Sequence, residues 1–236
     1  MQKLKPSTRR EKVEQKEDSI IEAAHRIFRE KGFAKTTMAE IARQSGVADG
    51  TVYLYFKNKE ALARTVVSDF YRRLTERAQS GVDGLGSVQD QLRFLASHHM
   101  ESIMNEHRIL EMLPIVSAEI DSYRGSELFD LNKNYVIIFD RLVKVGQASG
   151  AVKSTVAPWI LRDIFFGSMD YGFKTMMIGN RRKDISRFID DLLGLIIVDT
   201  SKPNQHHYND GTLGNLADRF EAAASRLETM IEKRAG

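Results

Sequence analysis

The run from Thr36 to Glu60 constrains this chain more than any other part of it. Residues Thr36 to Ser45 read as a short helix that closes on a tight turn at Gly46-Val47. Ala48 to Tyr55 read as a second short helix. Gly46 falls where the chain must reverse, and glycine enters the left-handed region without steric cost. Ile41 and Ala42 on the first helix face Val47 and Val52 on the second, and such small apolar groups let two helices cross closely at a steep angle. The rest of the chain repeats its apolar residues at helical spacing, and no run alternates with the period of two that a half-buried strand needs. The fold class is therefore all-α.

The outer side of the second helix carries what a helix needs to enter the major groove of duplex DNA. Thr36, Thr37 and Thr51 are short donors for phosphate oxygens, and Tyr55 is a longer one. Gly50 lets the backbone approach the duplex, and Tyr53 is the candidate for base edges or a thymine methyl. Lys57 and Lys59 flank the start of the next helix, where side-chain charge and helix N-terminus both favour phosphate. The charge distribution agrees. Residues 1–60 hold 13 Lys/Arg against 9 Asp/Glu, whereas the remainder holds 22 against 23. The positive excess lies at the end that would meet phosphate.

The segment from about Ile20 to Leu62 resembles the N-terminal domain of the TetR (tetracycline-repressor-like) family of transcriptional regulators. The resemblance rests on Ala23-Ala24, Ile27-Phe28, Gly32-Phe33, Thr36-Thr37, Ile41-Ala42 and Gly46-Val47, and above all on Thr51-Val52-Tyr53-Leu54-Tyr55-Phe56-Lys57-Asn58-Lys59-Glu60. It implies a repressor that binds palindromic operator DNA as a homodimer, with half-sites about one turn apart. It also implies a helical ligand-binding and dimerisation domain behind the DNA-reading head. A shorter resemblance, carried by Ala48 to Glu60 and Ile164-Phe165-Phe166-Gly167-Ser168-Met169-Asp170, is to the subgroup that represses fatty-acid degradation genes and binds long-chain acyl-CoA. A lipophilic drug or aromatic metabolite is the alternative effector.

Four regions are expected: a basic flexible arm (1–12), the helix-turn-helix domain (13–60), the helical ligand-binding and dimerisation domain (61–200), and a linker with a C-terminal amphipathic helix (201–236). A helix from near Val13 to Lys31 precedes the motif, and a long one from Lys59 to about Ser80 follows it. Further helices are expected at about 88–105, 108–120 (kinked by Pro114), 126–149, 158–179 and 183–199, with a glycine-rich turn at Gly81–Gly86. Ile185, Phe188, Ile189, Leu192 and Ile196 are the candidate dimerisation residues, because the apolar set of this helix is too broad for a one-sided surface helix. The alternative is that this breadth is all intrachain core. In the last region Leu213, Leu216, Phe220, Ala223, Leu227 and Met230 step by three and four, a seam that suits pairing with a mate or folding back on the core.

A ligand cavity in such a domain needs aromatic walls and a few polar anchors. Phe94, His98, Tyr123, Arg124, Phe139, Phe166, Met169, Asp170 and Phe173 are the candidates, with Asp170 as the orienting anchor. Arg124, Arg141 and Lys174 are the candidates for the phosphates of a coenzyme A. His98 and Glu101 share a helix face as a usable ligand pair, with His99 and His107 nearby, but no His-Glu-x-x-His or Glu-x-x-His pattern is present; these groups are expected to line a pocket or lie at the surface, and no metal or cofactor is expected. The chain has no cysteine, no nucleophile elbow and no paired carboxylates, so it is not expected to be an enzyme. With no signal-like start and no membrane-length apolar run, it is expected in the cytoplasm.

Overall fold

The computed structural model describes residues 9–117, 123–179 and 185–198, which all belong to the first of two units, Met1–Val198. The expected linker and C-terminal helix (201–236) lie outside the described residues, as does most of the expected basic arm. The described residues form nine helices and no strand: α1 (Arg9–Lys31), α2 (Met38–Ser45), α3 (Asp49–Tyr55), α4 (Lys59–Asp83), α5 (Val88–Leu110), α6 (Leu113–Val116), α7 (Glu127–Ser149), α8 (Pro158–Ile178) and α9 (Ile185–Ile196). None is long and apolar enough to cross a membrane.

Helices α1 to α3 form the head. Ile20, Ala24 and Phe28 of α1 are buried with Ile41 and Ala42 of α2 and Val52 of α3. Gly46 ends α2 at φ 71° and ψ 25°, where its N–H bonds the carbonyls of Ala42 and Arg43. Thr37 starts α2 by accepting the N–H of Glu40, a cap that contributes about 0.5–2 kcal/mol. Asn58 caps α4 in the same way through Ala61 N–H. Helix α4 then runs without interruption from the head into the body, so that both share one hydrophobic cluster.

In the body α4, α5, α7 and α8 pack on one another, and α9 closes on α5 and α8. Ser87 and Ser126 cap α5 and α7 by accepting the N–H of Asp90 and Phe129. Pro158 fills the first turn of α8, where its missing N–H costs nothing. An isolated bridge couples Val152 to Ile197 and fixes the end of α9 to the loop before α8.

Three expectations about elements are corrected. Helix α1 begins at Arg9, one turn before Val13. Pro114 does not kink a helix over 108–120. Instead α5 ends at Leu110, and Pro114 sits in the first turn of the four-residue α6. Gly81 is not in a turn but inside α4, where a Cβ would stand 1.9 Å from the Phe94 ring. Its lack of a side chain is what lets α5 lie against α4.

Candidate functional site

Two surfaces could carry function: the outer face of the head and a cavity in the body. On the head, α3 presents Tyr53 at 56% exposure and Leu54 at 84%. Single exposed apolar residues are ordinary, but two adjacent ones on a seven-residue helix form a surface suited to being covered. Gly50 is exposed with open space where a Cβ would stand. Thr37 and Lys57 are exposed, while Thr51 and Tyr55 are half-buried. Sequence reasoning missed Leu54 as an outward group, together with exposed Arg43 and Gln44 in the last turn of α2. Its signal was present: Leu54 lies two positions from buried Val52 and so falls off the inner face.

Two residues assigned to phosphate are struts instead. Thr36 is 1% exposed, and its hydroxyl donates to Gly32 O at 2.8 Å. The Lys59 ammonium donates to Phe33 O (2.9 Å) and Thr36 O (2.8 Å) and stands 4.3 Å from the Phe33 ring centre. It pins the α1–α2 loop to the start of α4, because the loop turns two carbonyls toward it that no helix satisfies.

The body holds a half-open cavity of about 1060 Å³, at the upper end of the roughly 300–1,000 Å³ of small-molecule pockets. Phe70, Leu74, Ile103, Phe129, Val136 and Phe166 supply much of its apolar wall. Exposed Lys133 and Lys174 stand at its rim with Glu111, Asp163 and Asp170. Of the expected ligand residues, Phe166, Asp170 and Phe173 line it. The others do not. Phe94 packs over Gly81 and stacks on His98, whose Nε2–H donates to Leu74 O at 3.1 Å. Burial, ahead of nearby charge, lowers the His98 pKa. Phe139 and Met169 are fully buried behind the wall, with Phe139 against Phe165 and Phe166. Tyr123 packs edge-on to Phe129 at 5.7 Å, with Arg124 exposed beside it. Arg141 pairs with Gln79 and Asp83, away from the cavity, which leaves Lys174 alone of the three proposed phosphate ligands on its rim.

Sequence reasoning also missed Tyr71 as a cavity group. His98 and His99 leave α5 in different directions, so their adjacency builds no joint site. Among the described residues no three His, Cys, Asp or Glu side chains gather as metal ligands.

Besides α4, the α5–α6 stretch joins the cavity to the head. Helix α5 breaks at Glu106 (φ −122°, ψ 19°), where the sequence has no Pro or Gly. The Glu106 carboxylate reaches His25 Nε2 at 3.1 Å and Arg29 at 3.9 Å on α1. Arg108 donates to Glu30 O, and Arg64 of α4 donates to Val116 O of α6 at 2.7 Å. Within the same short stretch Ile103, His107, Leu110 and Leu113 line the cavity.

The expected dimerisation residues are corrected in part. Ile189, Leu192 and Ile196 are buried within their own chain, and Ile185 and Phe188 are half-buried against the core, Phe188 over Gly172. The apolar groups left outside are Trp159 (58%), Tyr171 (70%) and Ile178 (88%) on α8 and Leu195 (60%) on α9.

A compact helix-turn-helix head on a helical body with a half-open cavity defines a DNA-binding transcriptional regulator of the ligand-responsive kind. The family model for bacterial regulatory proteins of the tetR family matches residues 20–66, and that for the C-terminal region of YsiA-like proteins matches residues 69–199. The chain belongs to the TetR family of transcriptional regulators. It is 25% identical over 178 residues to the fatty acid metabolism regulator protein of Bacillus subtilis (strain 168), covering 75% of this chain and 92% of that protein. The crystal structure of the regulator FadR from Bacillus subtilis in complex with stearoyl-CoA is similar with a TM-score of 0.62 at 26% identity, over 75% of this chain and 96% of that one. The fatty acid degradation regulator FadR from Bacillus halodurans shares the fold with a TM-score of 0.63 at 22% identity, over 81% and 96% of the two chains. These relatives are regulators, and the chain is a regulator rather than an enzyme.

Proposed function

We propose that this chain is a repressor that holds palindromic operator DNA as a homodimer and releases it when a long-chain acyl-CoA enters the body cavity. The observation that carries the reading is the cavity itself: about 1060 Å³, largely apolar within, with Lys133 and Lys174 on its rim. An acyl chain suits the interior and coenzyme A phosphates suit the lysines. The stearoyl-CoA bound by the Bacillus subtilis relative supports the same chemistry.

On the head, Tyr53 and Leu54 of α3 read base edges and thymine methyls, while Thr37, Thr51, Tyr55 and Lys57 hold phosphate beside Gly50. Two such heads reach half-sites about one turn apart only if the bodies join about a two-fold axis. Trp159, Tyr171 and Ile178 on α8 with Leu195 on α9 are the surface for that contact, in place of the buried Ile189, Leu192 and Ile196. Release follows if the effector binds more tightly to the conformation whose heads are misplaced. A coupling of about 1–3 kcal/mol weakens operator binding roughly 5- to 150-fold. The break at Glu106 is the joint through which a filled cavity tilts α1 and α4.

The test is selection of bound sequences from a random duplex pool with and without stearoyl-CoA. A palindrome that is lost with stearoyl-CoA supports the whole reading. A palindrome indifferent to it retains the regulator and rejects the effector class, leaving a lipophilic drug or aromatic metabolite. Enrichment of no palindrome at low salt rejects the proposal.

A further inference from the structure

Among the polar groups that line the cavity, four, one from each of four helices, lie together: Tyr71 of α4, His99 of α5, Tyr135 of α7 and Asp170 of α8. The His99 ring is wedged between Tyr135, stacked at 5.7 Å, and Phe166, edge-on at 5.0 Å. Its Nδ1 lies 3.1 Å from the Tyr135 hydroxyl. Burial, and then the neighbouring Tyr71 and Asp170, push the Tyr135 phenol well above its usual range, so it keeps its proton at neutral pH. A buried hydroxyl hydrogen needs an acceptor, and His99 Nδ1 is the acceptor within reach. In the neutral ring that places the remaining hydrogen on Nε2.

The Nε2–H is buried without a hydrogen-bond partner. The nearest carboxylate oxygen, Asp170 Oδ1, stands 3.7 Å away, beyond the roughly 2.7–3.2 Å of a hydrogen bond. A donor and an acceptor thus face each other across a gap just too wide to close. The group that satisfies both accepts from His99 and donates to Asp170. A single hydroxyl does this from the side of the gap, because one oxygen both accepts and donates; a trans amide, whose C=O and N–H point apart, and a methylene chain do not. Water fits as well, and a ligand group displaces it only by reproducing both bonds.

We propose that the gap between His99 and Asp170 is a hydrogen-bonding subsite that selects effectors carrying a hydroxyl at that depth. The inference rests on the acyl-CoA reading above. Within it such a group has two sources: the hydroxyl of the coenzyme A arm, or a hydroxyl on the acyl chain.

The experiment is calorimetric titration of the full chain with stearoyl-CoA and with 3-hydroxyoctadecanoyl-CoA, in wild type, Asp170→Ala, Asp170→Asn and His99→Phe. Asp170 is 62% exposed, so its substitutions leave the fold in place, and asparagine keeps an acceptor oxygen. If the hydroxyl of the coenzyme A arm fills the gap, wild type binds both compounds alike. Asp170→Ala and His99→Phe then weaken both about tenfold, and Asp170→Asn stays within about threefold. If an acyl hydroxyl fills it, the hydroxylated compound binds wild type about tenfold more tightly, and Asp170→Ala removes that gain. Binding of both compounds by Asp170→Ala and His99→Phe within about twofold of wild type overturns the subsite. Should wild type bind neither, the acyl-CoA reading fails, and the subsite is then judged without ligand by imidazole nitrogen NMR in mildly alkaline buffer. A neutral His99 protonated on Nε2, with a resonance that moves in Asp170→Ala, supports it. Protonation on Nδ1 overturns it.

Discussion

At the scale of single residues, Lys57 and Lys59 look interchangeable in the sequence and differ in the fold. Lys57 is exposed, whereas the Lys59 ammonium is occupied by Phe33 O and Thr36 O. Lys57→Ala is therefore expected to weaken operator and random duplex alike and to reduce the salt slope by about 0.9 for each phosphate it leaves without a cation. Lys59→Ala is expected to leave that slope unchanged and to lower stability by about 1–3 kcal/mol, because two carbonyls are deprived of a charged donor. Thermal denaturation together with salt-dependent binding isotherms separates the two. Tyr53→Ala belongs to the same scale: a loss of about 1–3 kcal/mol confined to the matched operator marks base reading, and an equal loss on random duplex would reject it.

At the scale of elements, close approach explains positions that composition alone leaves neutral. A Cβ on Gly146 of α7 would stand 2.4 Å from Val152 Cγ2 and 3.0 Å from Val152 Cβ. Val152 is buried, stiff at χ1 and held by its bridge to Ile197, so it has little room to yield. Gly146→Ala is expected to cost about 1–3 kcal/mol by overpacking, read as a lower midpoint in urea. The break in α5 is the other feature of this scale. Glu106→Gln removes the charge that stands 3.1 Å from His25 and 3.9 Å from Arg29 of α1 but keeps the side-chain volume. The expected outcome is a protein that binds stearoyl-CoA as wild type does while its operator affinity responds at least about fivefold less to the ligand. An unchanged response in a gel-shift titration would remove the joint from the coupling path.

At the scale of the whole molecule, the open surface of α8 and α9 decides assembly. Tyr171→Asp with Leu195→Glu is expected to yield folded monomers with the wild-type helix content, seen by sedimentation, and to abolish selection of a palindrome. Ile189→Glu is expected instead to unfold the body, since it buries an unpaired charge in the chain's own core. If Ile189→Glu were monomeric and folded while the surface pair stayed dimeric, the assignment of the dimer face would be reversed.

Local rules made much of the molecule legible from its residues. The turn at Gly46 and the inward Ile41, Ala42 and Val52 follow from backbone geometry and helical period. That is why the head and most helix positions could be read directly. The sequence also marked Phe166, Asp170 and Phe173 as cavity residues, because they share one face of a helix rich in aromatics. What it could not decide was which of two buried-looking faces meets its own chain and which is left outside, as with Ile189 against Leu195. Nor could it decide which of two neighbouring histidines turns toward the cavity, or which lysine finds a carbonyl. Those outcomes depend on contacts between residues far apart in the chain, such as Lys59 with Phe33, Phe94 with Gly81 and His99 with Tyr135 and Asp170. Period and propensity describe one helix at a time. The pairing of faces is settled only when all the helices compete for the same core.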